Sequence, residues 1–409
     1  MRYEDFVDLK YEPAHTDVIC DFTIRPKEFD IRKAAGGVAA ESSIGTWTEL
    51  TTTKHYLKKL AAIVFSINGA DVKVAYPIEL FEPNNMPNLL SSISGNIFGL
   101  RALESLRLRD IHLPEKLIKS FRGPKYGIEG IRRLLKVYDR PLVGTIIKPK
   151  LGLKTQDHAQ VAYEAWIGGC DMVKDDENLS SQKFNPFEDR VMQTLESRDR
   201  AEAETGERKT YMANITAETD EMVKRAEFVL EQGGEYVMVD IITCGFAALQ
   251  TLRKRDFNLV IHAHRAGHAA FTKNPAHGIS MNVIAKAARI IGVDQLHVGT
   301  VFGKMHETRK EVRANIKALK AKMSGLKQVF PVASGGLHPG LVPALTEFFG
   351  KDCVIQAGGG IHGHKKGTVA GAKAMRQAVD ATVKRIPLRK FAQAHKELRV
   401  ALQIWDKVL

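Results

Sequence analysis

Cysteine is scarce. The 409 residues contain four, Cys20, Cys170, Cys244 and Cys353, widely scattered and without CxxC spacing. That pattern argues against both a disulfide framework and a cysteine zinc site. Cys170, Cys244 and Cys353 adjoin apolar runs and are expected as small buried hydrophobes. No apolar run approaches the roughly 20 residues of a membrane span. The N-terminus, MRYEDFVDLK, lacks the basic and apolar regions of a signal peptide. The expectation is therefore a cytoplasmic chain without a membrane partner. Low-complexity segments are missing, and so are concentrated basic patches. The net charge is +13, yet Lys and Arg are dispersed, and only KHYLKK and LRKR resemble a patch with aromatic or apolar interleaving. Nucleic acid is accordingly not an expected partner. A dispersed positive field suits a small polyanion such as a sugar phosphate.

What is present is a recurring unit. With 44% hydrophobic and 26% charged residues, the chain can bury a sizeable core, and its length suggests two or three domains. From residue 141 onward, short β-rich apolar runs alternate with amphipathic stretches. The runs are PLVGTIIKPK (141–150), CDMVKDDE (170–177), TYMANIT (210–216), YVMVDIIT (236–243), NLVIHAH (258–264), DQLHVGT (294–300), QVFPVAS (328–334) and CVIQAGG (353–359). Helical patterns such as TDEMVKRAEFVLEQGG and GISMNVIAKAARIIG lie between them and close on glycine. Eight such units predict a (β/α)8 TIM barrel over 136–385. An open doubly wound sheet would place a Gly-rich fingerprint after its first strand, where KPK stands here. Residues 1–135 mix possible strands, DVICDFTIRP and VKVAYPIEL, with helical patterns at KEFDIRKAAGGVAAES and NLLSSISGNIFGLRALESL. They predict a separate α+β domain of ferredoxin-like type. Residues 386–409 predict a C-terminal helical extension in which PLRKFAQAHKELRVALQIW forms one outer helix.

Barrel enzymes place their chemistry at the C-terminal strand ends. Those ends here carry Lys148 and Lys150; Lys174, Asp176 and Glu177; Asn214; Asp240; His262, His264 and Arg265; His297; Ser334; and the glycines of 358–360. Each residue alone is more simply structural, but their convergence on one rim points to a site. Strand alternation puts Lys174 and Asp176 on one face, and likewise His262 and His264. Asp176 and Glu177 offer hard oxygens suited to magnesium, although an acidic turn in solvent has the same composition. A neutral lysine amine reacts with carbon dioxide to form a carbamate, which would make Lys174 a third oxygen ligand. SGG (334–336) and GGG (358–360) expose backbone NH groups suited to phosphate, while Arg265 and His297 could hold a second one. GTVFGKMHET (299–308) pairs Gly303 with Lys304, as a closing lid would.

Taken together, AAESSIGTWTEL (39–50), SGNIFGLRALESLRLRDIHLP (94–114), GTIIKPKLGL (144–153), GGCDMVKDDEN (168–178), HAHRAGHA (262–269), HVGTVFGK (297–304), PVASGGLHPG (331–340) and QAGGGIHGH (356–364) resemble the large subunit of RuBisCO, ribulose-1,5-bisphosphate carboxylase, most nearly its archaeal form III. The resemblance runs through essentially the whole chain. It implies a magnesium-dependent carboxylase with oxygenase side activity, acting on ribulose 1,5-bisphosphate, CO2 and O2. It implies a carbamate on Lys174 that binds Mg2+ with Asp176 and Glu177. Lys148 and His264 would move protons, and Lys304 would stabilise the carboxylated intermediate. Lys150, Arg265, His297, Ser334, Gly335, Gly336, Gln356, Gly358 and Gly359 would contact substrate. Glu41, Thr46, Trp47 and Asn96 match residues that complete the site from a neighbouring subunit. A homodimer, or an assembly of dimers without a small subunit, follows. Met305, His306 and Glu307 depart from the family's usual apolar-acid-glycine sequence after the lid lysine, Gly267 replaces a commoner methionine, and IHGHKK replaces TLGHP. These departures leave every proposed group in place and bear on lid closure and CO2/O2 discrimination. The alternative is a RuBisCO-like enolase or isomerase of a related sugar phosphate.

Overall fold

Along VICDFTIRP, buried and partly exposed positions alternate, so strand β1 (Val18–Pro26) presents one apolar face that needs cover. The helix Ile31–Glu41 packs against it, started by Asp30, whose side chain accepts the Lys33 N–H. The chain then forms an antiparallel hairpin from β2 (Ile63–Asn68) and β3 (Asp71–Tyr76), turning at Gly69 with φ +58°. A helix over Met86–Ile93 leads to β4 (Leu103–His112). The sheet order β4-β1-β3-β2, with β1 antiparallel to both neighbours, is the ferredoxin-like β-α-β-β-α-β arrangement.

The structure, a computed structural model of the chain, describes residues 1–405. Two sequence expectations change in this part. β2 had no counterpart among the expected strands, and the helix expected through residue 106 stops at Ile93. From Leu103 the chain is extended, with Leu106 and Leu108 both wholly buried at period two, so the sheet register overrides the helical reading.

The second sheet closes on itself. Its strands are β5 (Leu142–Ile146), β6 (Met172–Lys174), β7 (Thr210–Asn214), β8 (Tyr236–Asp240), β9 (Val260–His264), β11 (Gln295–His297), β12 (Phe330–Ser334) and β13 (Val354–Gln356). All pair in parallel, and β13 returns to β5. Each expected apolar run supplies one strand. β10 (Gly278–Ile279) instead joins the N-terminal sheet beside β4.

Two compact units result. One comprises Met1–Arg122, Gly267–Ile291 and Lys322–Leu326; the other comprises Gly123–Ala266, Gly292–Ala321 and the chain from Lys327 onward. The boundary expected at 135 lies earlier, because the helix Gly127–Leu135 belongs with the barrel. Its Ile128, Ile131 and Leu135 enter one buried cluster with Leu142, Met172, Met212, Met238, Phe330 and Val354. Each such side chain contributes about 1.5–3 kcal/mol through burial. The helix Met281–Ile291 groups with the N-terminal sheet, where Asn282 Nδ2 donates to Asp110 Oδ1 at 2.7 Å. Beyond residue 386 two helices form, Leu388–Phe391 and Lys396–Trp405, in place of the one expected. Leu398 and Ala401 bury the second against the helix Gly367–Val383. Cys20, Cys170 and Cys353 are buried free thiols, while Cys244 is half-buried. Among the described residues, no helix is long and apolar enough to cross a membrane.

Candidate active site

Seven of the eight barrel strands end on a polar side chain: Lys174, Asn214, Asp240, His264, His297, Ser334 and Gln356. The eighth, β5, is followed two residues on by Lys148. Because parallel strands in a barrel end on the same rim, these groups share one mouth.

Strand alternation sorts the acids of KDDEN. Lys174 Nζ is wholly buried, donates to the Asp175 carbonyl at 2.7 Å and lies 3.7 Å from Glu177 Oε2. Asp176, on the same face, accepts from Lys148 Nζ at 2.5 Å. Asp175 points the other way into a polar anchor: Tyr211 Oη donates at 2.7 Å, Arg190 Nε at 3.1 Å and the Asn214 N–H at 3.0 Å, with His158 Nε2 at 3.1 Å. Asn214 Nδ2 donates to the Glu177 carbonyl at 3.1 Å and the Leu179 carbonyl at 2.9 Å, pinning the loop that carries the acids.

Burial pushes the Lys174 amine below its ordinary range, against the pull of Glu177, Asp240 and Asp176. Burial also opposes ionisation of Glu177, but Lys174 and His264 outweigh it and hold its carboxyl at about 2. Beside them, His264 Nδ1 meets Asp240 Oδ1 at 2.7 Å, leaving Nε2 facing Glu177 Oε2 at 3.7 Å. The carboxylate thereby orients the imidazole. His262 and His264 each meet the His297 ring edge to face: His262 Nε2 lies 2.9 Å from His297 Nε2, and its Nδ1 2.7 Å from Gln295 Oε1. Burial, with Lys174 next, lowers His262 to about 3, and burial with the neighbouring histidines pushes His297 well below the usual range. Both rings are held neutral.

The loop after β11 rests on the turn after β12. The Lys304 N–H donates to the Gly335 carbonyl at 3.3 Å, and its ammonium is exposed. Gly303, Gly335 and Gly336 all have positive φ, and a Cβ on Gly335 would stand 2.5 Å from Met305 Cγ. This close approach requires glycine. Gly358 lies against Lys148, whose Cε would be 3.2 Å from a Cβ there, while Gly359 faces open space. Gln356 is wholly buried at the end of β13, with neither amide atom hydrogen-bonded among the described residues. Lys150 Nζ donates to Asn178 Oδ1 at 3.2 Å.

Arg265, expected from the sequence as a phosphate contact, is paired with an acid here. Its Nη2 donates to Glu307 Oε1 at 2.5 Å, and both side chains are buried. In the N-terminal unit, Glu41 closes its helix and accepts from Tyr3 Oη at 2.9 Å. Thr46 and Trp47 follow in an irregular segment, and Asn96 is exposed at a 3-10 turn. Sequence reasoning assigned no role to His362. Its Nε2 contacts Thr145 Oγ1 at 3.0 Å and the Ile146 carbonyl at 3.1 Å, at the end of β5 just before Lys148. Its only local signal was its place after the glycine turn.

Asp176 and Glu177 suit a magnesium ion: both are carboxylates, and the buried Lys174 beside them is held toward the neutral amine that a carbamate requires. A carbamate there would bring a third oxygen to the same corner.

Residues 127–405 match the catalytic-domain model of the ribulose bisphosphate carboxylase large chain, and residues 5–117 match its N-terminal-domain model. A ribulose bisphosphate carboxylase of Methanocaldococcus jannaschii is 50% identical, covering 98% of this chain and 100% of its own length. Among solved structures, an octameric ribulose-1,5-bisphosphate carboxylase/oxygenase from Pyrococcus horikoshii OT3, in complex with sulfate, superposes with a TM-score of 0.96 at 48% identity over 99% of this chain and 97% of its own. A dimeric archaeal Rubisco from Hyperthermus butylicus gives 0.92 at 45% identity, over 98% and 99% respectively.

Proposed function

Because the chain belongs to the ribulose bisphosphate carboxylase large-chain family, we propose that it carboxylates ribulose 1,5-bisphosphate, with oxygenation as a side reaction. The relatives named above are ribulose bisphosphate carboxylases, carbon–carbon lyases, and this chain is such an enzyme. The reaction would take one bisphosphate, one CO2 and one water to two molecules of 3-phosphoglycerate. The observation that carries the reading is the meeting of Lys148, Lys174, Asp176, Glu177 and His264 on one barrel rim.

Lys174 would first lose a proton and bond through Nζ to the carbon of a CO2 that is not the substrate. With Asp176 and Glu177 it would then hold Mg2+. Bound there, magnesium supplies positive charge that stabilises the oxygens of the enolised sugar. The Lys174 carbamate is suited to take the first proton from the bisphosphate. Lys148, whose Nζ lies 2.5 Å from Asp176, would shuttle protons and protonate the final carbanion. His264, oriented by Asp240, would serve the hydration step with Nε2. Lys304 on its loop would meet the carboxylate formed by CO2 addition.

Arg265 and His297 at one side, and the glycines of 335–336 and 358–359 at the other, would hold the two phosphates, with Lys150, Ser334 and Gln356 lining the space between. Glu41, Thr46, Trp47 and Asn96 would complete the site from a neighbouring subunit. Trp47 is 81% exposed in the single chain, as a residue covered on assembly would be. The minimal unit would be a homodimer, and higher assemblies such as an octamer would be built from it.

Incubation of the protein with labelled bicarbonate, magnesium and ribulose 1,5-bisphosphate tests the assignment. Labelled 3-phosphoglycerate is expected. Its absence, with isomerised sugar phosphate instead, would establish the enolase or isomerase alternative.

A further inference from the structure

We propose that Glu307 is a positioning residue that occupies the anion site of Arg265 until a phosphate group displaces it, so that filling the site releases the loop carrying Lys304. The inference rests on the reading of Arg265 as a phosphate-binding residue.

Arg265 directly follows the last residue of β9, and its side chain is only 6% exposed. One arm of its fork, Nη2, meets Glu307 Oε1 at 2.5 Å; the other, Nη1, is buried and has no hydrogen-bond partner among the described residues. A guanidinium matches two acceptor oxygens at once, and here a single carboxylate oxygen engages it. A phosphate group brings more oxygens and more charge to the same fork. Burial makes the pair exchangeable rather than strong. The desolvation of both ions offsets much of their attraction, so another anion can replace Glu307 at modest cost.

The placement of Glu307 is local and specific. It immediately precedes Thr308, whose side chain caps the helix Arg309–Lys320 in a reciprocal capping box with Glu311. Its carboxyl carbon would lie 3.1 Å from a Cβ on residue 299, so glycine at 299 leaves the space the carboxylate uses. Between Lys304 and Glu307 stand only Met305 and His306. Moving Glu307 off Arg265 therefore moves the segment whose other end rests on Gly335. An arriving phosphate and Glu307 cannot share Arg265 without like-charge repulsion, which links occupancy of the site to the position of the loop.

Calorimetric titration of the full-length protein with inorganic phosphate tests this directly. Glu307→Gln removes the competing charge while keeping the hydrogen-bonding shape, and phosphate affinity should rise about tenfold, equivalent to the loss of one charged hydrogen bond. In turnover assays the KM for the bisphosphate should fall by more than kcat changes. A merely structural ion pair would give unchanged or weaker phosphate binding, and either result overturns the proposal. Arg265→Gln separates the two readings. If it binds phosphate as the wild type does, the phosphate assignment of Arg265 itself fails. If it loses binding while Glu307→Gln is unaltered, only the role of Glu307 fails. A measurement on the wild type needs no variant. Amide hydrogen exchange across 303–308 should quicken when phosphate saturates the protein, and unchanged or slower exchange would sink the proposal.

Discussion

Asp175 and Arg190 face each other with both side chains wholly buried, the guanidinium Nε 3.1 Å from the carboxylate, while the adjacent Asp176 turns to Lys148 on the opposite side of the strand. Two neighbouring acids thus belong to different problems. Asp175 is held below the ordinary carboxylate range: burial opposes ionisation, and Arg190 and His158 overcome it. Asp175→Ala would leave Arg190 buried without a counter-charge, at a cost of about 3–5 kcal/mol. Asp176→Ala should cost only about 1 kcal/mol, a common value for point substitutions, yet abolish turnover. Denaturant unfolding alongside carboxylation assays distinguishes the two, and equal stability losses would refute the division.

That division was half legible in the sequence. Period-two alternation placed Lys174 with Asp176, because it depends only on neighbours along one strand. The partners of Asp175 come from His158, Arg190 and Tyr211, on three other elements, and no local pattern announces them. The same holds for Glu307: its departure from the family pattern was visible, but its pairing with Arg265 across 42 positions was not. All eight barrel strands were found because buried parallel strands are continuous apolar runs. β4 was misread because LESLRLRDIH is a strand only through its pairing with β1. The helix Gly127–Leu135 was assigned to the wrong unit because its apolar face shows that it is covered, not by which unit.

Lys174 carries the next prediction. Its Nζ is the buried amine from which the proposed third metal ligand would be made, so Lys174→Ala should remove magnesium binding and turnover together. Loss of even an outer-sphere partner weakens metal sites about 10- to 100-fold, so affinity should fall by at least that factor. Titration calorimetry with magnesium, in bicarbonate buffer, reads the binding. Chelation of magnesium from the wild type should reproduce the loss of activity, and restoring the metal should reverse it. Retained turnover in Lys174→Ala would contradict the carbamate.

The neutral histidines predict acid sensitivity. His262 is lowered to about 3, and His362 to about 4 by burial, with the Lys148 charge acting in the same direction and the Ile146 carbonyl opposing it. The unfolded chain, with values near 6.5, therefore binds more protons than the native one between these limits, and stability falls as pH drops through that window. Asp171, Asp175 and Glu177 are depressed carboxylates, so their contribution persists until lower pH. At pH 5 each such histidine should cost about 2 kcal/mol relative to pH 7.5. Melting temperature measured across pH 7.5–4.5 should decline, and His362→Asn should decline less steeply than the wild type. Parallel profiles would show that His362 does not titrate as described.

The loop after β11 depends on a backbone that other residues resist. Gly303 has φ +110°, and a Cβ there would collide with the Gly335 carbonyl. Gly303→Ala must therefore shift the segment that carries Lys304 away from the turn after β12. The affected contacts lie at the rim, and the buried cluster of strand residues such as Leu142, Met172 and Phe330 does not include them. Global stability should change by only about 1 kcal/mol, near the left-handed backbone penalty for alanine. If Lys304 acts as proposed, chemistry should suffer more, because displacing a catalytic group by about 1 Å can cost roughly a hundredfold in rate. kcat for carboxylation should fall 10- to 100-fold by that reasoning, while magnesium affinity, assigned in the proposal to Lys174, Asp176 and Glu177, should stay at the wild-type level. If kcat holds while the melting temperature drops by many degrees, the close approach of these two glycine turns would be a packing feature of the barrel rather than part of its chemistry.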